Sequence, residues 1–514
     1  MAALHTLADG RRIFVKGTRQ DQDQEQREGL DVEERINPFL PRCAPRVLWR
    51  VRADGWDMGG SLPVRNSSRP QPRTQDRSPD PSQPLRHCLR SWYTGGPPAA
   101  RSVTPRSCPR AARVRPGAND CEEYAMALRK STKAGLAGIA VAAMAATAFV
   151  TPARAASDTP PSGGGHPATQ RAMDEAVKAG IPGVTAQARD TGGVWKSASG
   201  VGDLTSGAPR GENDKFRVGS ITKTFVATVL LQMEAEGRLS LDDTVERRLP
   251  GLVRGNGNDG CGITVRQLLN HTSGLFDYLA DEEYAKTYMQ GDGYLEHRYD
   301  TLPPEKHVKV ALSHKPLFEP GAKFSYSNTN YILAGLIIEK AGGRSYEDEV
   351  RDRIIRPLGL KNTSNPGNGI HLPRPSSRGY SKLFRSAPDR IDDITEMNGS
   401  QGWADGDIIS TAGDLNRFYG ALLRGELLKP KQLKAMKTIA APGSSSKSYG
   451  LGLQRFQTSC GTTLWGHGGG MVGWLSMAVT TADGRHQLAY NYNGDWDATS
   501  MIKIIEAEYC STSR

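Results

Sequence analysis

Strand-patterned segments stand at both ends of one long stretch of this chain, and mainly helical sequence lies between them. Val184–Arg189 and Val194–Ser199 alternate like paired strands across Thr191-Gly192-Gly193. Near the C-terminus, Leu475–Thr480 and Gln487–Asn493 flank Ala482-Asp483-Gly484-Arg485, a hairpin signal. From Ser220 to about Phe418 the pattern is mainly helical with long loops. Thr169–Ala179 has helical spacing and stops at Gly180-Ile181-Pro182-Gly183, and Asp497–Glu508 reads as a closing helix. Two hairpins so far apart in sequence predict one antiparallel sheet completed by both chain ends. Such a sheet needs helices over its faces, which makes the class α+β with a mainly helical subdomain. No internal repeat is visible.

A targeting signal precedes this domain. Met126 is followed by Arg129, Lys130 and Lys133, then by an Ala-rich apolar run from Ala134 to Val150. Ala153-Arg154-Ala155 follows, a small-x-small cleavage site before Ala156. Those are the three regions of a secretory signal peptide, and the run is marginal for spanning a bilayer. The expected organisation is therefore an extension over 1–125, a signal peptide over 126–155, a linker over 156–166 and a catalytic domain over 167–514. The extension, rich in Arg, Pro, Gln and Ser, reads as disorder or as upstream sequence translated from a wrongly assigned start. A cytoplasmic tail with an uncleaved anchor is the other arrangement. Cleavage near Ala155-Ala156 would give a secreted protein with no stable membrane anchor.

The net charge of +11 suggests a nucleic-acid partner until it is located along the chain. Residues 1–125 hold 21 Lys and Arg against 15 Asp and Glu, and residues 126–155 add four bases and no acid. The remainder carries 41 basic and 40 acidic residues, so no nucleic-acid footprint is expected there. Four of the seven cysteines also precede residue 126. The other three, Cys261, Cys460 and Cys510, show no metal-ligand spacing, and neither metal nor cofactor is expected. In an oxidising compartment Cys460 with Cys510 would tie the last strands to the terminal helix, leaving Cys261 a thiol. Three unlinked small apolar residues is the alternative.

The chemistry is carried by three short motifs. Ser220-Ile221-Thr222-Lys223 opens the apolar run Thr224–Glu234. A serine at a helix start lies where backbone N–H groups point outward, and a lysine three residues on shares its face. A lysine kept neutral by burial or by cationic neighbours can take the hydroxyl proton. Alone, Ser220 would be an ordinary N-cap. Ser444-Ser445-Ser446-Lys447 matches the same weak pattern in a Gly/Ser loop.

The second motif is Tyr326-Ser327-Asn328, between the Pro320-Gly321 turn and a helix over Asn330–Lys340 ended by Gly342-Gly343. A tyrosine whose pKa is lowered by a nearby lysine can relay protons, and an asparagine can hydrogen-bond a substrate amide. The bland alternative is a helix-capping Asn beside a packed Tyr. The third is Trp465-Gly466-His467-Gly468-Gly469-Gly470. Its glycines would let an edge strand approach a substrate and present N–H groups to an oxyanion, with His467 supplying a proton or a charge.

In this order and spacing the three motifs resemble the serine penicillin-recognising family, whose Ser-x-x-Lys is a signature of acyl enzymes. That family includes D,D-carboxypeptidases, class C β-lactamases, and related esterases and aminopeptidases. The resemblance covers nearly all of residues 165–514 and is nearest to the secreted D-alanyl-D-alanine carboxypeptidases. Ile263–Leu269 running into His271-Thr272-Ser273-Gly274-Leu275, and Tyr449-Gly450-Leu451-Gly452-Leu453, match as well. His271–Gly274 is assigned structure rather than catalysis.

The resemblance implies a β-lactamase-like fold, with Ser220 the nucleophile and Lys223 its proton acceptor. Tyr326 would shuttle the proton to the leaving group, and Asn328 would orient the acyl side. His467 would start the third motif, and the N–H groups of Ser220 and Gly470, beside Gly469, would form the oxyanion hole. Trp403 looks like an aromatic wall of the pocket, with core packing the alternative, and Cys460 and Cys510 fall where these carboxypeptidases carry a disulfide. The implied substrates are peptidoglycan peptides or other small acyl compounds, with β-lactams as inhibitors and a monomeric enzyme.

One departure bears on substrate. The carboxypeptidases read His-Thr-Gly-Thr in the third motif, and here Gly468 and Gly470 replace both threonines. Gln454 takes the place of an arginine that helps hold the substrate carboxylate, beside an Arg455 of unknown direction. Buried polar recognition groups contribute roughly 1–3 kcal/mol each, so losing three would relax specificity by several orders of magnitude. An esterase or D-aminopeptidase is the second enzyme expectation, and a penicillin-binding sensor without turnover is the third. The glycine string is also similar to the oxyanion loop of α/β-hydrolases, but no Gly-x-Ser-x-Gly elbow exists in the chain. Gly255–Gly260 fits Gly-x-Gly-x-x-Gly only formally, as a polar loop.

Overall fold

The computed structural model describes residues 165–439, 441–442 and 447–511, together with four strands within residues 2–61. The chain divides into two units, Met1–Arg101 and Ser102–Arg514. In the first, Ala2–Thr6, Arg12–Arg19, Val47–Ala53 and Trp56–Ser61 form an antiparallel sheet with the fourth strand between the second and third. The signal peptide and most of the linker lie outside the described residues, as do Ser444–Ser446.

The second unit is built on eight strands. They are β1 (Gly183–Asp190), β2 (Gly193–Gly200), β3 (Ala441–Pro442), β4 (Lys447–Tyr449), β5 (Gln454–Gln457), β6 (Thr463–Met471), β7 (Trp474–Thr481) and β8 (Gln487–Tyr492). Their order is β3-β4-β5-β6-β7-β8-β1-β2, and every neighbouring pair is antiparallel. β8 pairs with β1 from Gln487↔Arg189 to Tyr492↔Val184, so the two terminal hairpins complete one sheet as their patterns predict.

Helices cover both faces. On one, α1 (Pro167–Lys178) and α5 (Met501–Cys510) share a core in which Met173, Ile504 and Ile505 pack with Val184, Leu488 and Tyr490. On the other, α4 (Ala412–Leu423) lies along β8, β7 and β1. It joins the larger core that holds the helical subdomain, where Phe418 stacks on Phe225 at 3.8 Å. Two helices, α2 (Thr222–Ala235) and α3 (Thr329–Gly342), are buried nearly all round, each around a central apolar run. α3 stops at Gly343, whose φ of 75° is the left-handed cap that glycine takes without strain.

Cys460 is bonded to Cys510, tying the turn between β5 and β6 to the end of α5. Cys261 is itself disulfide-bonded, which corrects the expectation of a free thiol there. Gly255–Gly260 is a tight ribbon in which Arg254–Gly255 pairs with Asn258–Asp259. Among the described residues no helix is long and apolar enough to cross a membrane.

Candidate active site

Ser220 lies in a single 3-10 turn, Gly219–Ile221, that runs straight into α2. Gly219 takes a φ of 55°. A Cβ on it would come within 2.7 Å of the Gly470 carbonyl oxygen and 3.0 Å of Gly470 N. Both the left-handed turn and the close approach demand glycine. The end of β6 is thereby seated on the serine turn, bringing the backbone of Gly470 to that of Ser220.

β6 is interior over Thr463–Gly466 but open on one side over the glycines that follow. Thr463–Gly466 pair with β5, and Leu464–Met471 pair with β7. β5 has no partner for β6 beyond Gly466, so one side of His467–Met471 is left without a ladder strand. Gly468 N donates to Gln454 Oε1 at 3.2 Å on that side. The strand is locally an edge, and its glycines keep the exposed backbone that was expected of them.

Lys223 is fully buried beneath Ser220. Its Nζ lies 3.0 Å from Ser220 Oγ, 2.7 Å from Asn328 Oδ1 and 2.8 Å from the Asp405 carbonyl. A neutral amine has two N–H groups and one lone pair. In its neutral form the amine would give its two N–H groups to the two carbonyl oxygens, which would leave the lone pair for the hydroxyl proton of Ser220. Asn328 stands at the N-cap of α3, yet its side chain makes no capping bond. Its Nδ2 donates to Asp277, at 3.0 Å from Oδ2 and 3.3 Å from Oδ1.

The Tyr326 ring centroid is 5.1 Å from Lys223 Nζ, and its hydroxyl interacts with Ser220 and Lys223. Burial raises its pKa, while the Lys223 charge and the two hydrogen bonds pull it down; burial prevails. The expected lowering is therefore corrected: the Tyr326 pKa lies above the ordinary tyrosine value, not below it. His467 is buried, with Nε2 2.8 Å from the Tyr449 hydroxyl and Nδ1 2.5 Å from the Gly468 carbonyl. Its ring lies 6.5 Å from that of Tyr326. All three motifs thus meet at the start of α2.

His271 forms the floor beneath Tyr326, with ring centroids 4.2 Å apart. Its Nδ1 accepts from Ser327 N at 3.2 Å, and burial, with the charges of Lys223 and His467, pushes its pKa well below the ordinary value. It is a neutral platform.

Trp403 is not the pocket wall that its motif suggests. Its φ of 36° is unusual for a bulky residue. The indole packs on Tyr346 at 5.5 Å and donates to Glu347 at 3.2 Å, against the helix position of Gly335. The turn it belongs to reaches the site through the Asp405 carbonyl.

Several residues here were given no role by the sequence. Asp277 and Tyr278 follow the His271–Leu275 string, Asp405 follows Trp403, and Tyr449 stands in the Tyr-Gly-Leu-Gly-Leu match. Asp405 is buried and accepts from the Tyr278 hydroxyl at 2.6 Å. Only Tyr449 stood in a motif worth testing for a role. Arg455 faces away from its neighbour Gln454, as alternate strand residues do, and donates to Ser448 at 3.1 Å.

A beta-lactamase family model matches residues 169–503. The chain belongs to this family. It is similar to a D-stereospecific amidohydrolase from Streptomyces sp., at 50% identity and a TM-score of 0.64 over 68% of this chain and 100% of that one. A D-amino acid amidase from Ochrobactrum anthropi SV3, solved with L-phenylalanine amide, is 30% identical with a TM-score of 0.57 over 66% of this chain and 97% of that one. Penicillin-binding protein 4* of Bacillus subtilis (strain 168) is 28% identical over 61% of this chain and 68% of its own length. The fold is β-lactamase-like, and the protein is a serine hydrolase of this family.

Proposed function

We propose that this hydrolase is a D-stereospecific amidase that cleaves D-aminoacyl amides through an acyl-enzyme on Ser220. The observation that carries this reading is the open side of β6. Where the carboxypeptidases present two threonines and an arginine to a substrate carboxylate, this chain has Gly468, Gly470 and the neutral Gln454. Gln454 is engaged with the backbone of Gly468, and Arg455 is turned to Ser448. A substrate that ends in a carboxylate would lose the three polar partners that those residues supply, whereas a neutral amide would lose nothing. The likeness to the amidohydrolase and the amidase supports the same choice.

In this reading Ser220 Oγ attacks the amide carbon while its proton passes to Lys223 Nζ. The carbonyl oxygen becomes an oxyanion held by the N–H groups of Ser220 and Gly470. The proton then moves from Lys223 through the Tyr326 hydroxyl to the leaving nitrogen, and the C–N bond breaks. Water enters, gives its proton back along the same path and releases the acid and Ser220. His467, hydrogen-bonded to Tyr449, would hold this end of β6. β-lactams, whose amide sits in a strained ring, would acylate the same serine. Export by the signal over residues 126–155, with cleavage before Ala156, would place the enzyme outside the cytoplasm.

The test compares turnover of D-phenylalanine amide, L-phenylalanine amide and a D-Ala-D-Ala peptide by wild type and Ser220→Ala. We expect the D-amide to be preferred and the variant to be inactive. Faster turnover of the D-Ala-D-Ala peptide would make the protein a carboxypeptidase instead, and unchanged turnover in Ser220→Ala would end the mechanism. Mass spectrometry of the exported protein reports its N-terminus in the same experiment.

A further inference from the structure

The amide of Asn328 could be turned either way, and the structure gives a chemical reason for the way it points. Lys223 needs an acceptor at that position, because an NH2 group placed there would compete for the lone pair that is to take the Ser220 proton. Nothing in Asn328 itself fixes this choice. Asp277 does. Its carboxylate accepts from Asn328 N at 3.1 Å and from Asn328 Nδ2 at 3.0 and 3.3 Å, and it also accepts from Leu279 N at 3.3 Å. A carboxylate only accepts, so the NH2 must face Asp277 and Oδ1 must face Lys223. Asp277 also satisfies the N–H of the N-cap residue of α3. An anion at a helix N-terminus is favourable as well.

We propose that Asp277 is a positioning residue, which acts only through Asn328 to keep the lone pair of Lys223 on the Ser220 hydroxyl. Carboxylate, carboxamide, amine and hydroxyl form one line from Asp277 to Ser220. No bond to Asp277 is made or broken. Its effect is on which atom of Asn328 the amine meets. In Asp277→Asn the new amide can donate as well as accept, so the Asn328 amide is released to turn over.

This inference rests on the activation of Ser220 by Lys223 proposed above. The test therefore uses a probe that needs no knowledge of the substrate. A fluorophosphonate forms a Ser220 Oγ–P bond and releases fluoride, with the hydroxyl proton passing to Lys223. The limiting labelling rate and the half-saturating probe concentration are measured for wild type, Asp277→Asn, Asn328→Ala and the double variant, with the label located by mass spectrometry. We expect Asp277→Asn to lower the limiting rate on the order of 10²-fold, the scale of misplaced general-base catalysis, while leaving the half-saturating concentration unchanged. In the Asn328→Ala background the same change should have almost no further effect.

Additive effects, a fall in probe affinity alone, or an unaltered rate would each overturn the proposal. If Asp277→Asn does not fold, Asp277→Ser enters the same cycle, and additivity there is equally decisive. Labelling of Ser220 without hydrolysis of D-phenylalanine amide would count against the proposed substrate and not against Asp277. Absence of Ser220 labelling in the wild type would overturn both.

Discussion

Gly469 faces the carbonyl oxygen of Val218 with no room for a side chain between them. A Cβ on it would overlap that oxygen and come within 3.0 Å of Ser220 N. Gly470, one residue on, is different: a Cβ there would meet only Leu475 Cδ2, at 3.6 Å, an ordinary contact. Gly469→Ala must therefore push β6 off the serine turn. Losing one oxyanion donor costs about 3 kcal/mol of transition-state stabilisation, on the order of 10²-fold in rate. Acylation rates should fall by that order in Gly469→Ala and stay within about threefold of wild type in Gly470→Ala. Equal acylation by Gly469→Ala and wild type would show that this strand takes no part in holding the oxyanion.

The sheet was legible because both terminal hairpins carry their own turn chemistry and alternate toward a buried face. β8 pairs with β1 over the residues that the two patterns mark. The three motifs were legible because each combines reactive side chains with a helix start or a glycine run. What supports them was not. Asp277 and Asp405 accept hydrogen bonds across 51 and 127 residues of sequence, from Asn328 and from Tyr278. No local spacing records such a contact. The direction of Trp403 was hidden for a related reason, since its φ of 36° and its contacts with Tyr346 and Glu347 are long-range features. Strand interior or edge is likewise a property of the neighbours, and β5 is too short to cover all of β6.

Asp405 makes stability depend on pH. Burial pushes its carboxyl up to about 7, against the pull of Lys223 and the Tyr278 hydroxyl, and Asp277 adds to the rise. The folded pKa lies above the unfolded value near 3.9, so the fold favours the protonated acid. Its contribution is complete below about pH 4 and is lost as pH rises through about 7. Denaturant midpoints should therefore fall between about pH 4 and 7 and level off above that. Asp405→Asn, which keeps an acceptor for Tyr278 but cannot ionise, should flatten that decline. Parallel pH curves for the two proteins would rule out this assignment.

The Cys460–Cys510 bond closes a loop with a sequence separation of 50 residues around β6, β7 and β8. Restricting the unfolded chain over a loop of that length is worth roughly 4 kcal/mol in the chain-entropy account. Cys510→Ser should lower the unfolding free energy by about that amount. The site should survive below the new Tm, because no residue at the start of α2 touches the bond. Chemical denaturation with a parallel Ser220 labelling assay measures both effects. Loss of labelling in a still-folded variant would contradict the separation of staple and site.

Glu508 fastens the other side of the same region. Its side chain is almost wholly buried at the end of α5, where His166 Nδ1 lies 2.9 Å and Thr169 Oγ1 2.6 Å from Oε2, and His486 Nε2 lies 2.6 Å from Oε1. Burial alone would raise its pKa, but the hydrogen bonds from His166, His486 and Thr169 outweigh it and hold the carboxyl down at about 2, against an ordinary 4.5. A depressed carboxylate contributes stability that is complete above the unfolded pKa and is lost as pH falls through the folded one. The difference amounts to about 3 kcal/mol. Glu508→Gln should therefore be less stable than wild type by about that much at pH 6. The gap should close as pH is lowered from about 4.5 to 2, because there the wild-type carboxylate itself takes up a proton. Urea unfolding of both proteins at pH 6, 4 and 3 follows the gap directly, and a gap that stays constant across those three values would show that Glu508 acts by packing and not by charge.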